Sequence, residues 1–199
     1  MPDHSVPLIN GIPAIGLGTY PLSGGHCTAT VEMAIGLGYR HIDTAQMYGN
    51  EREVGAALAR CGVARTALFV TTKVDPGNLG RNRFSESVKR SVDALGGPPD
   101  LLLIHWPPPD AEMDAALDLL KAEHAAGRAR RIGVSNFNRP PHMVAVQLRI
   151  FTPVGTAMNI VVSENTVTEI GPMPETNMWW AHTPKPMKPM ATPEKTMNV

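Results

Sequence analysis

From Ile15 to about Asn138, short apolar runs alternate with segments of helical periodicity. The runs are Ile15–Leu17, His41–Ile42, Leu68–Val70, Leu101–Ile104 and Ile132–Val134, and they predict five strands. Their starts recur roughly every 30 residues, the length of one βαβ unit. Between them, Val54, Ala57, Leu58 and Cys61 share one helical face. Asn50 precedes that face as an N-cap, Glu53 stands where a capping box places its acid, and Gly62 supplies the stop. Phe84, Val88, Val92 and Leu95 repeat the pattern and end at Gly96. Met113, Leu117 and Leu120 do so again and end at Gly127. Glu86, Lys89 and Arg90 lie on a polar face and read as solvated surface.

Strands buried between crossover helices pair in parallel, so the class is α/β. An open doubly wound sheet and a closed barrel compete at this level. A dinucleotide-binding open sheet usually carries G-x-G-x-x-G after its first strand. Gly16–Pro21 and Gly36–His41 both lack the third glycine, which weakens the open sheet without excluding it; a partial TIM-type (β/α)8 barrel is the expected class. Past Asn138 the character changes. Residues 139–199 are rich in methionine and proline, with prolines at 172, 174, 184, 186, 189 and 193 breaking any long element. Ile160–Val162 and Val167–Ile170 have the makings of a hairpin, but no strand–helix rhythm continues. The expected division is therefore an incomplete barrel over 1–138 followed by an irregular, poorly ordered tail over 139–199.

Composition narrows the function classes. Charged residues make up 18% of the chain and the formal net charge is zero, so neither nucleic acid nor an anionic membrane is an expected partner. The N-terminal residues lack a basic stretch followed by an apolar run, and no apolar segment approaches bilayer length. Cys27 and Cys61 lie far apart and read as free thiols in a reducing cytoplasm. The seven histidines show no i, i+4 pair and no cysteine at ligand spacing, so no metal site is expected.

The polar residues at the strand ends carry the chemistry. Asp43 follows His41–Ile42, Lys73 follows Phe69–Val70 after two threonines, His105 follows Leu101–Ile104, and Ser135–Asn136 follow Ile132–Val134. In a parallel barrel the C-terminal strand ends converge on one face. Tyr48, in the loop after the second strand, leans over the same mouth. Singly, each residue has a structural reading: Asp43 as a cap, Lys73 as surface charge, His105 as a core histidine, Tyr48 as packing and Asn136 as a turn residue. Their joint placement is what points to a site.

Three stretches carry a family resemblance. Gly38–Glu51 (GYRHIDTAQMYGNE) resembles the first signature of the aldo-keto reductases, Leu101–Pro107 (LLLIHWP) their fourth-strand motif, and Ile132–Phe137 (IGVSNF) their fifth. Within the family the wording is closest to bacterial 2,5-diketo-D-gluconate reductases of the B type, and the resemblance runs from about Val6 to Asn138. It implies an NADPH-dependent oxidoreductase that reduces aldehydes, ketones or keto-sugars. Tyr48 matches the general acid, Lys73 the cation beside it, Asp43 the carboxylate paired with that lysine, and His105 the residue orienting the carbonyl. Ser135 and Asn136 match holders of the nicotinamide amide, with Thr19, Tyr20 and Asp43 beside it. Tyr20, Tyr48, His105 and Trp106 would line the substrate pocket.

The family barrel has eight strands, and five are recognisable here. Its later glutamine, its nicotinamide-stacking tyrosine and its basic loop for the 2′-phosphate have no counterparts in this sequence. Lys185, Lys188 and Lys195 read as solvated tail charges. Five strands in barrel order leave the first and fifth as open edges, which carries a second expectation. That alternative is a truncated, inactive fragment that cannot hold cofactor and associates with other chains through those edges.

Overall fold

The computed structural model describes residues 7–136 and, for the backbone alone, strand residues 160–163 and 166–169. It opens with a small antiparallel hairpin, β1 (Leu8–Ile9) and β2 (Ile12–Pro13), paired Leu8 to Pro13 and Ile9 to Ile12. The two residues between them are Asn10 and Gly11, at φ 53° and 75°. An Asn-Gly turn with both residues left-handed matches the twist of a two-residue hairpin. The strand pattern alone did not single it out.

The main sheet runs β3 (Leu17–Gly18), β4 (His41–Asp43), β5 (Phe69–Val74), β6 (Leu101–Ile104), β7 (Ile132–Val134), β8 (Ile160–Ser163) and β9 (Thr166–Glu169) in spatial order. The first five are parallel neighbours. Four helices make the crossovers: α1 (Gly24–Gly36), α2 (Glu51–Arg60), α3 (Arg81–Leu95) and α4 (Met113–Ala125). The predicted stops Gly62, Gly96 and Gly127 take the left-handed φ values expected of helix ends, 70°, 76° and 71°.

Strand alternation sorts the side chains into two layers. Ile42, Val70, Leu102, Ile104, Ile132 and Val134 pack outward among Val31, Ile35, Val54, Phe84, Val88, Leu117 and Leu120 of the helices. A separate cluster of Phe69, Leu101 and Leu103 lies on the other face of the sheet, with Ile12 of the hairpin packed against it. The guanidinium of Arg131 stacks over the Phe69 ring and donates to the Asn10 carbonyl. Asp100 ties the same end together, accepting from Arg65, Arg130 and the Val70 amide.

Several expectations are corrected in detail. The first run yields only Leu17–Gly18 as strand, and Ile15 is 55% exposed. The third strand begins one residue later than predicted and continues through Val74, so Lys73 lies inside it. Asn50 precedes α2 but makes no side-chain capping bond. Its side chain is buried, accepting from the Thr44 hydroxyl and donating to the carbonyls of Thr19 and Leu22. The fifth strand is not an open edge: β8 pairs antiparallel with β7, Ile132 opposite Val162, and β9 pairs with β8. The hairpin expected near residues 160–170 thus forms, and the sheet ends on β3 and β9. The boundary at residue 138, the rest of the tail and its three lysines fall outside the described residues.

Candidate active site

The register brings the strand-end residues together. Asp43 is the last residue of β4 and pairs with Thr71 of β5, two residues before Lys73. Asp43 and Lys73 therefore point to the same side of the sheet. Both are buried, at 6% and 7% exposure. The Lys73 ammonium donates to Asp43 Oδ1 at 2.6 Å, to the Thr44 carbonyl at 3.0 Å and to the Tyr48 hydroxyl at 3.5 Å. An ammonium has three protons, so these three acceptors account for all of them and fix its direction.

Tyr48 ends a single 3-10 turn, Gln46–Tyr48, held by its own amide to the Ala45 carbonyl. Its ring lies 5.1 Å from the Lys73 nitrogen, 5.3 Å from the Tyr20 ring, and edge-on to the His105 imidazole at 5.7 Å. Tyr20 precedes Pro21 through a cis peptide and is half exposed. Trp106 stacks beside His105, with ring centroids 6.2 Å apart and 48% of the indole exposed. An apolar plate thus stands next to the polar cluster, open to the outside.

His105 follows β6, with its amide bonded to the Val74 carbonyl. Burial, reinforced by the nearby Lys73 charge, lowers its pKa to about 4 against the opposing pull of Asp43 and Asp75. At neutral pH the ring is therefore uncharged, with one nitrogen donating and the other accepting. A hydroxyl and an imidazole N–H on one patch, backed by a neutralised lysine–carboxylate pair, suit an oxygen atom that gains negative charge.

Ser135 and Asn136 sit at the end of β7. The Ser135 amide bonds to the Ile104 carbonyl, and the Asn136 amide group donates to the His105 carbonyl at 2.9 Å. Asn136 is left-handed at φ 62°, a conformation asparagine accepts more readily than most residues. Thr19 is fully buried in the β3 loop, its amide bonded to the Asp43 carbonyl. Among the described residues, the Thr19 hydroxyl and His105 Nδ1 are the buried side-chain polar atoms without a hydrogen-bond partner. Both belong to the predicted site. Unmade buried hydrogen bonds are costly, so two of them among the predicted site residues fit a polar ligand.

Every predicted site residue therefore lies on the C-terminal ends of β3 to β7 or in the loops that follow. Sequence reasoning missed the residues that hold these loops: Thr44, Gln46, Asn78 and Ser91, whose partners lie 6 to 45 residues away. It also misjudged Asn50, whose polar side chain just before a helix was the available signal. Among the described residues there is no group of three or more potential metal ligands, and no helix long and apolar enough to cross a membrane.

This arrangement of parallel strands and crossover helices has counterparts in known proteins. A profile of the Aldo/keto reductase family matches residues 7–169, reaching past Asn138 to the end of β9. Methylglyoxal reductase DkgB of Escherichia coli O157:H7 is 43% identical over 132 residues, covering 65% of this chain and 49% of that protein. A solved structure described as a 2,5-diketo-D-gluconic acid reductase B is 41% identical, with a TM-score of 0.66, covering 74% of this chain and 53% of the other. The Bombyx mori aldo-keto reductase in complex with NADP is 32% identical at a TM-score of 0.61, over 72% and 53% of the two chains. The chain belongs to the aldo/keto reductase family. It spans about half the length of the curated relatives it matches.

Proposed function

We propose that this site reduces small aldehydes, ketones or keto-sugars with NADPH, with Tyr48 as the general acid. Lys73, held by Asp43 and within 3.5 Å of the Tyr48 hydroxyl, is the observation that carries the reading. A cation there stabilises the phenolate left when Tyr48 gives up its proton. Neutral His105 donates to the oxygen of the substrate carbonyl, orienting it and sharing the charge that develops there. Loss of one such donor typically costs about 3 kcal/mol of barrier lowering. Tyr20 and Trp106 form the apolar walls of the substrate pocket.

A nicotinamide cofactor, when bound, would supply the hydride. Ser135 and Asn136 are assigned to its amide, with Thr19, Tyr20 and Asp43 beside it, and the unpartnered Thr19 hydroxyl supports a polar occupant. The E. coli relative, named for methylglyoxal, and the structure named for 2,5-diketo-D-gluconic acid make small dicarbonyls and keto-sugars the first substrates to screen. A cytoplasmic setting fits an NADPH-dependent reductase. Tyr48→Phe is expected to abolish turnover while NADPH affinity, read by fluorescence titration, stays nearly unchanged. Equal turnover in the variant would remove Tyr48 from the acid role.

A second reading rests on the span of the chain. Because the chain matches only about half the length of its relatives and has no recognisable loop for the 2′-phosphate, residues 1–138 would be an incomplete barrel and 139–199 an appended tail. Such a fragment keeps the cluster without holding cofactor and associates through β3 or β9. Saturable NADPH binding by a monomer in sedimentation velocity supports the reductase. Absence of binding with concentration-dependent association supports the fragment.

A further inference from the structure

We infer that Gln46 is a positioning residue that fixes Tyr48 against Lys73. The inference rests on the reading that these two act together. Tyr48 sits on a 3-10 turn of three residues, next to Met47, which is 52% exposed, and Gly49. So short a turn has little packing of its own to hold an aromatic ring in one place.

The Gln46 side chain supplies the missing anchorage. Its Oε1 accepts from the Asp75 amide at 3.0 Å and from Asn78 Nδ2 at 2.9 Å. Its Nε2 donates to Ser91 Oγ on α3 at 3.0 Å. Asp75 stands two residues beyond Lys73, at the end of β5. One side chain therefore ties the turn carrying Tyr48 to the strand carrying Lys73.

The other flank of the turn is fastened to the same strand. Glu51, three residues after Tyr48, accepts from the Thr72 hydroxyl at 2.5 Å and from Ser91 Oγ at 3.1 Å. Thr72 neighbours Lys73 but points to the opposite face of β5. Tyr48 is thus bracketed by Gln46 before it and Glu51 after it, with Ser91 linking the two anchors. Ser91 lies on α3 and Thr72 on the face of β5 opposite Lys73, while Asp75 and Asn78 lie in the turn just past β5. The Gln46 side chain, which touches none of Lys73, Tyr48 and His105 by a hydrogen bond, acts on the chemistry through where it holds Tyr48.

The test uses the full chain labelled on its tyrosine and histidine rings. The wild type is expected to show a nuclear Overhauser contact between the Tyr48 and His105 rings. Gln46→Leu, similar in size but without hydrogen bonds, should lose that contact. Gln46→Glu keeps the acceptor for Asp75 and Asn78, and should retain it. Displacing a reacting group by about 1 Å can cost on the order of 100-fold. For Gln46→Leu, kcat with methylglyoxal should therefore fall about 10-fold to 100-fold while KM for NADPH stays near the wild-type value.

Should Gln46→Leu fail to fold, Asn78→Ala removes one clamp bond at a turn and takes its place, with a weakened ring contact expected. An unchanged ring contact in the folded variant would overturn the inference. A fall in kcat matched by an equal loss of NADPH affinity would do so too, because it would mean general loosening. If the wild type turns over no substrate, the reductase reading fails, and the ring contact alone decides the role of Gln46.

Discussion

Gly55 lies where α2 crosses α3, and replacing it with alanine tests how tightly that crossing is built. A Cβ at Gly55 would stand 2.0 Å from the Ala94 carbonyl oxygen, 3.0 Å from its carbon and 3.1 Å from the Leu95 Cα. All three neighbours are backbone, so no side chain can turn aside. Relief requires the helices to part by about 1 Å, loosening Val54, Leu58 and Leu95, which are packed in the same cluster. Overpacking costs about 1–3 kcal/mol, and contact with a rigid backbone belongs at the upper end. Against this, alanine is favoured over glycine inside a helix by about 1 kcal/mol. The steric term wins, leaving a net loss of about 2 kcal/mol. For a chain of this size that lowers Tm by roughly 4–8 °C. Circular dichroism melts of Gly55→Ala beside Ala56→Gly, an exposed change on the same helix, measure the difference. A Gly55→Ala melt at or above the wild-type temperature would mean that α2 and α3 do not approach as closely as described.

Two other perturbations probe the polar parts of the structure. Because the His105 pKa falls to about 4 in the folded chain, from about 6.5 unfolded, the unfolded state binds more protons between those values. Stability should therefore drop as pH falls from 6.5 toward 4. His105→Gln should reduce that slope in urea unfolding without flattening it, since buried His41 shifts in the same direction; an unaltered slope would contradict the assignment. Asp100→Ala strips the carboxylate from Arg65, Arg130 and the Val70 amide, and should cost about 2 kcal/mol by the usual worth of a charged hydrogen bond. The urea midpoint reads it, and a change within error would show those arginines to be idle.

The strands were legible where burial is continuous. β6 and β7 match their apolar runs to the residue, because both faces of those strands are covered. β5 was cut short because Thr71, Thr72 and Lys73 interrupt its apolar run, although all three are buried. α1 was not singled out: Cys27, Val31, Ala34 and Ile35 do follow one face, but Met33 and Leu37, at 65% and 75% exposure, blur it. The candidate site residues could be picked out because each closes a strand or lies in a motif. The network around Gln46 was not, since its partners lie about 30 to 45 residues away and no local period marks them.

The direction of β8 sets the traffic of the chain around the sheet. β7 ends at Val134, and β8 begins opposite it at Ile160 and runs the other way. Val134 and Ile160 therefore stand at one rim of the sheet, the rim that holds the candidate site residues. A βα crossover would instead have returned the chain to the far rim before the next strand. β9 reverses again and finishes with Glu169 level with Ile160, at the same rim. A probe introduced at position 160 or 169 would thus start from the rim of the candidate site.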